Sequence, residues 1–312
     1  MSAIVSARQH RLKATAIGFV AVILWSLLAL LTVASGRVPP FQLVAMCFLI
    51  GGLIGLADIF RGGRSLGRAW QQPARVWLFG VGGLFGYHFF YFTALRNAVG
   101  AEAEAGLIAY LWPLLIVLFS ALLPGERLRS GHVVGALLGF GGAAVILSGK
   151  VGGLSFDTAG ESTVMLGLAL ALVCALVWTG YSVGSRIVGE APTDTVAGFC
   201  LVSAVLGAVC HLALEETVWP LTATELAGVI GLGLGPVGLA FYAWDIGVKR
   251  GDIQLLGVSS YAAPLLSTLI LVVTGFAQAS LELVLATGLI VVGSLLAARA
   301  SLSSTGGAKP SA

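Results

Sequence analysis

Charge is what this 312-residue chain has least of: 10% of its residues are Asp, Glu, Lys or Arg, against roughly a quarter in a soluble domain. So few charges cannot cover a water-exposed surface, and with 58% hydrophobic residues the chain reads as one dissolved in a bilayer. Cysteine is also scarce. Cys47, Cys174, Cys200 and Cys210 all fall in apolar stretches and form no C-x-x-C pair, so they read as free buried thiols rather than metal ligands. No G-x-x-x-x-G-K-[ST] is present to cradle a nucleotide, no H-E-x-x-H to bind zinc, and the histidines at 10, 88, 132 and 211 are scattered. "GLGPVG" at 233–238 has the spacing of a dinucleotide loop, but that loop must follow a strand and open a helix, and this one sits inside an apolar run. Neither a cofactor, a metal nor a nucleic-acid partner is expected. The expected partners are the lipid bilayer and a small-molecule substrate; no feature sets an oligomeric state.

What the chain has in abundance is long apolar segments. A helix needs about 20 mostly apolar residues to cross the hydrocarbon core. Ten such segments recur, at 13–34, 41–60, 76–96, 101–123, 131–149, 163–185, 195–214, 224–246, 252–274 and 280–298. They show no polar–apolar alternation and are about twice too long for barrel strands. The expected fold is an all-α integral membrane protein of ten transmembrane helices. Fourteen of the 17 Lys and Arg fall on one side if the N-terminus is cytoplasmic, leaving Arg37, Arg96 and Lys150 outside. The positive-inside rule then places both termini in the cytoplasm. The polar N-terminal dozen residues run straight into the first span without a cleavage site, so no removed signal peptide is expected.

The chain repeats itself. At a shift of 151, "FYFTALRNAVG" (90–100) lies over "FYAWDIGVKRG" (241–251) and "YLWPLL" (110–115) over "YAAPLL" (261–266). Earlier in each half the shift is 153, setting Trp25 on Trp178, Gly36 on Gly189 and Pro39 on Pro192. Matched Trp, Tyr and Pro at a nearly constant offset point to duplication. Five spans per copy is an odd number, so the second copy enters the membrane from the opposite side. This gives two inverted five-helix repeats, 1–152 and 153–300, followed by a flexible cytoplasmic tail, 301–312. Secondary transporters use this arrangement, with substrate bound near the midplane between copies.

With a Trp in the first helix of each copy and Tyr-x-x-Pro-Leu in the fourth, the chain resembles the drug/metabolite transporter superfamily, and within it the EamA-type permeases. The aromatic cluster around His88 resembles that of bacterial aromatic amino acid exporters. The resemblance runs from about residue 13 to 298. It implies a bacterial inner-membrane location and a cavity lined by the first, third and fourth helices of each copy. Trp25, Trp178 and Tyr242 are its implied wall residues. The small multidrug branch carries an acid in its first helix, whereas "GFVAVILWSLLAL" (18–30) has none, which argues against proton-coupled export of lipophilic cations.

The segment "FGYHFFYFTALRN" (85–97) places a titratable ring among six aromatic side chains. Tyr87 and Tyr91 are one turn apart, and His88 lies on the same flank three residues before Tyr91. Facing lipid, these polar tips would lack partners; facing a wet cavity, they can bind water or substrate. An ionisable group within a span is by default a functional candidate, although the same stripe can also cross-link helices in a dry core. A neutral imidazole offers one donor and one acceptor, which suits a carboxylate or phenol at one edge and Tyr87 or Tyr91 at the other. Pro113 and Pro264, near mid-membrane, each remove an amide from the helix ladder, so the carbonyls of Ala109 and Ser260 lose their usual donor. Such carbonyls can hold an ammonium group, and the bent helices can act as hinges or simply as kinks. Tyr110, Ser259, Ser260 and Tyr261 lie within one turn of these prolines and join the expected site.

All Lys and Arg can be placed at membrane edges, which disfavours phosphate or dicarboxylate substrates. Glycines four apart, Gly51 with Gly55, Gly82 with Gly86 and Gly135 with Gly139, are expected to bring helices close together. The function that follows is alternating-access export of small zwitterionic or neutral metabolites, amino acids favoured and aromatic ones included. Export of another metabolite or a drug is the nearest alternative. A membrane enzyme using His88 as a base would need an acid or nucleophile at catalytic spacing, and no such pair stands out; no catalytic residue is assigned.

Overall fold

The computed structural model of the chain describes residues 2–150, 162–188, 191–274 and 280–305. Every regular element among them is a helix. In chain order these are α1 (Ser2–Trp25), α2 (Leu28–Ala34), α3 (Pro40–Arg61), α4 (Leu66–Trp70), α5 (Ala74–Asn97), α6 (Glu102–Ala109), α7 (Trp112–Phe119), α8 (Ser130–Lys150), α9 (Ser162–Ile187), α10 (Thr195–Leu214), α11 (Ala223–Leu234), α12 (Ala240–Arg250), α13 (Ile253–Ser259), α14 (Ala262–Val273) and α15 (Leu281–Thr305). A five-residue π-turn, Gly235–Leu239, joins α11 to α12. Lys309, Gly189, the boundary at 152/153 and residues 306–312 of the tail lie outside the described residues.

Nine helical segments among the described residues are long and apolar enough to cross a membrane, and a shorter apolar helix, Ser130–Val145, occupies the fifth expected span. Four spans that read as continuous in sequence are each two pieces. The first breaks at Ser26–Leu27, where the Ser26 hydroxyl donates to the Ile23 carbonyl at 2.6 Å, competing with the ladder as Ser in a helix does. The fourth breaks at Tyr110–Leu111 and the ninth at Ser260–Tyr261, each one turn before a proline. The eighth widens into the π-turn at Gly235–Pro236, since a proline ring cannot follow the normal ladder.

Helices pair closely, α8 with α15, α5 with α9, α3 with α10 and α1 with α12. Glycine makes two of these contacts possible. A Cβ on Gly135 would stand 2.5 Å from the Gly293 carbonyl, and one on Gly18 would stand 2.8 Å from the Gly247 Cα. Gly51 meets Gly238 across α3 and the π-turn in the same way, with 3.0 Å to its Cα. The expectation fails at Gly82, where a Cβ would meet nothing within 4 Å among the described residues, so the Gly82/Gly86 pair is not a packing seam.

Candidate functional site

The broken helices converge on a cavity of about 220 Å³. Its wall is aromatic. Trp25 ends α1, Trp112 opens α7 and Trp178 lies in α9, and together with Trp244 of α12 they form one cluster: Trp25 stands 5.9, 5.7 and 5.1 Å from the rings of Trp112, Trp178 and Trp244. The Trp25 indole N–H donates to the Pro236 carbonyl at 3.1 Å. The break in the first span is thereby tied to the π-turn in the eighth.

The polar groups on this wall are few. Tyr87 and His88 of α5, Tyr110 and Ser267 border the cavity, with Phe241 and Pro264 between them. His88 packs edge-on against Phe48 at 5.1 Å and near Phe241 at 6.3 Å. Its Nδ1 lies 2.7 Å from the Leu84 carbonyl, which accepts, so Nδ1 carries the hydrogen and a neutral ring keeps Nε2 as an acceptor. The expected pairing of the imidazole with a neighbouring tyrosine is therefore replaced by a bond within the helix. A neutral His88 in this geometry receives a hydrogen from a ligand's ammonium or hydroxyl and has none to give to a carboxylate.

Of the residues expected in the site, Trp25, Tyr87, His88, Tyr110, Trp178 and Pro264 lie on the cavity wall. The others are placed elsewhere. Tyr91 stacks behind Tyr87, with ring centroids 6.0 Å apart and planes within 4°. Tyr242 lines a separate groove and donates to the Gly51 carbonyl at 2.9 Å. Ser259 faces a lateral apolar groove. Ser260, Tyr261 and Pro113 are buried. The Ser260 carbonyl already accepts the Ala263 amide at 3.1 Å and the Tyr110 hydroxyl at 3.3 Å, so it is not a vacant acceptor for an ammonium group. Reciprocally, the Leu114 amide donates to the Tyr261 hydroxyl at 3.1 Å. Each Tyr-x-x-Pro tyrosine thus caps the broken helix of the other.

Sequence reasoning passed over Trp112, Trp244 and Phe241, which read as ordinary core aromatics. It also passed over Asp245, fully buried in α12 beside Trp244. Lys249 approaches its carboxylate at 2.8 Å, Thr193 donates to it at 2.8 Å and Tyr181 at 3.4 Å. The signal was an Asp and a Lys four apart in an apolar run, a spacing that pairs them on one helix face. A second ionic group closes the same end of the bundle. Glu126, in the turn before α8, accepts from Arg11 of α1 at 3.1 Å and from Arg186 of α9 at 2.6 Å, while Arg11 also reaches Asp252 at 3.3 Å. At the opposite end Glu215 accepts the Phe41 and Gln42 amides at 3.0 and 3.1 Å, capping the start of α3, and meets His211 at 3.0 Å.

Comparison with known proteins places this architecture. A family model described as the EamA-like transporter family matches residues 12–148 and again 165–299. The chain is 55% identical over 287 residues to a protein of Ancylobacter novellus named aromatic amino acid exporter YddG, covering 92% of this chain and 97% of that one. A Salmonella typhimurium protein of the same name is 26% identical over 293 residues, 91% of this chain and 96% of its own. A solved crystal structure, 54% identical in sequence, superposes with a TM-score of 0.88, covering 94% of this chain and 99% of that chain.

Proposed function

The chain belongs to the EamA-like transporter family, and from that premise we propose that it exports amino acids, aromatic ones included, across the bacterial inner membrane by alternating access. The observation that carries this reading is the aromatic cavity itself. The wall draws on both halves of the chain, with Trp25, Tyr87, His88, Tyr110 and Trp112 among the positions from the first and Trp178, Phe241 and Pro264 among those from the second. A site between halves changes shape when the halves move. An apolar or aromatic side chain gains contact on the Trp and Phe faces. The ammonium group lies over a ring face and donates to His88 Nε2, and the carboxylate accepts from the Tyr87 or Ser267 hydroxyls.

Ten crossings as two inverted five-helix repeats are supported by how the helices pair. Exchanging the halves sends the first span's contact with the eighth onto the sixth span's contact with the third, and both are present as α1 with α12 and α9 with α5. The second pairs with the seventh and the fifth with the tenth, each mapping onto itself. The family model's double match supports the same division. The ionic ends support the parity: the N-terminal part of α1, the turn before α8, the end of α9 and the turn before α13 are joined through Arg11 and Glu126, as an even number of crossings between them requires. By the positive-inside rule this end is cytoplasmic. Loading from the cytoplasm then requires the Glu126 clasp to come apart.

Purified protein in proteoliposomes, tested with a panel of radiolabelled amino acids, decides the substrate class. Saturable flux of tryptophan or phenylalanine, with mutual competition, is the expected result. Linear flux for the whole panel, indistinguishable from empty vesicles, overturns the proposal.

A further inference from the structure

We propose that the groove between α3 and α12, at the end carrying Arg61 and Arg250, is a binding site for one phospholipid with an anionic headgroup, its phosphate held between those two guanidinium groups. The groove encloses about 1030 Å³ and is separate from the aromatic cavity. Two kinds of surface line it. Along α3, Ile50, Leu53 and Ile54 recur at helical spacing, and across from them stand Leu239 and Ile246; Leu53 and Leu239 are 51% and 48% exposed. Such a wall fits hydrocarbon and is wasted on a soluble anion. At its end α3 and α12 each terminate in an arginine, Arg61 and Arg250.

Three arginines and two aspartates line the groove, a net positive charge of one, and the ion pairs among them leave Arg61 and Arg250 as the guanidinium groups that can turn to a ligand. Arg64 also borders the groove but is taken up by Asp58 and, at 3.1 Å, by Asp194, the two acids in the lining. Neither Arg61 nor Arg250 has an ion-pair partner among the described residues. A guanidinium at a membrane edge matches the planar, two-oxygen face of a phosphate diester, and basic pockets between helices on the cytoplasmic side are suited to anionic headgroups. The depth agrees. Ile54 lies seven residues before Arg61 and Leu239 eleven before Arg250, roughly 10–16 Å along the axes at 1.5 Å per residue. A phosphate at the arginines therefore places its acyl chain along the apolar wall. A zwitterionic lipid brings an ammonium group that the two arginines repel, which is the ground for committing to an anionic one.

The site joins the two halves of the chain. Leu239 and Tyr242 in the groove flank Phe241 on the cavity wall, so a lipid seated here touches the helix that shapes the cavity from its other side. Assigning the lipid to the cytoplasmic leaflet rests on the orientation proposed above; binding in detergent does not, and neither depends on which substrate is moved.

Native mass spectrometry of the full chain in detergent tests this with phosphatidylglycerol, phosphatidylethanolamine of the same acyl chains, and glycerol 3-phosphate as the headgroup alone. One phosphatidylglycerol is expected to be retained at least about tenfold more tightly than phosphatidylethanolamine, and Arg61→Gln with Arg250→Gln to remove that preference. Arg68→Ala, a change in the same basic segment outside the groove, should leave it intact. Leu239→Trp, which fills the groove without altering charge, should weaken retention of both lipids and covers the case in which the double variant does not fold. Equal retention of the two lipids, undiminished preference in the double variant, or competition by glycerol 3-phosphate at concentrations matching the lipid each overturns the proposal.

Discussion

The two Tyr-x-x-Pro elements, Tyr110 to Pro113 and Tyr261 to Pro264, share a motif and divide its duties in opposite ways. In the first, the tyrosine borders the cavity and the proline is buried; in the second, the proline borders the cavity and the tyrosine is buried. In both, the proline sits one turn past a break in the helix, and each tyrosine hydrogen-bonds a backbone group directly beside the other element, at Ser260 and Leu114. Two copies of one local structure, meeting face to face, cannot both present the same side to a single cavity. The paired breaks are alike in local structure, and what differs between them is which residue of each motif borders the cavity.

The largest expected effect is on stability and breaks the symmetry outright. Tyr261→Ala empties the space under which Gly139 packs and leaves the Leu114 amide unpaired; truncating a buried aromatic costs about 3–5 kcal/mol. The same change at Tyr110, whose ring has cavity on one side, should cost clearly less while reducing flux. Denaturant titration in detergent, read beside transport per inserted molecule, checks both. Equal destabilisation by the two would mean that the tyrosines share one role.

His88 asks whether the wall does chemistry or only packs. His88→Leu should lose at least about tenfold in flux with insertion unchanged, since a ligand donor left without its acceptor costs about 1–3 kcal/mol. His88→Gln, which keeps an acceptor, should retain part of the activity. If Leu transports as well as His, the ring is core packing.

The prolines sharpen the contrast at a smaller scale. Pro264→Ala returns an amide that competes with Tyr110 for the Ser260 carbonyl and stiffens a helix at a position on the cavity wall; Pro113→Ala returns one toward the Ala109 carbonyl at a buried position behind Trp112. Both should slow transport by about twofold to fivefold, within about 1 kcal/mol of barrier, with Pro264→Ala the slower. Equal flux per inserted molecule in both variants and the native chain rules out a gating role. Smallest is Tyr110→Phe, which deletes one 3.3 Å hydrogen bond and should shift the unfolding midpoint by no more than about 1 kcal/mol allows.

The elements that sequence reading placed well are those where a local rule is sufficient. Length and hydropathy located the long apolar helices, and a polar ring among aromatics pointed to Tyr87 and His88, which border the cavity, because a phenol or imidazole in a span must find a partner. Ser259, Ser260 and Tyr261 were expected in the site from nearness to Pro264 and Tyr91 from its one-turn spacing to Tyr87, yet none of the four lines the cavity, because neighbouring positions on one helix face different surroundings. In a bundle whose helices are apolar all round, periodicity does not mark the inward side. Trp112 and Phe241 were passed over for the same reason: an aromatic on a cavity wall and one in a core, such as Trp244, look alike in a chain with 9% aromatic residues. The breaks at Ser26 and at the π-turn have local causes, but their meeting through the Trp25 indole and the Pro236 carbonyl joins residues far apart in the chain, which no local rule contains.

Four of the chain's seven tryptophans stand in one cluster around the cavity, and that gives the protein a built-in optical signal. Indoles held about 5–6 Å apart in fixed orientation couple electronically, so their near-ultraviolet circular dichroism reports the geometry of the cluster rather than the sum of independent rings. Phenylalanine does not absorb at wavelengths where only indole does. Titrating it in should therefore perturb the indole bands in proportion to occupancy, and Trp25→Phe should reduce that change by taking out three of the six ring pairs.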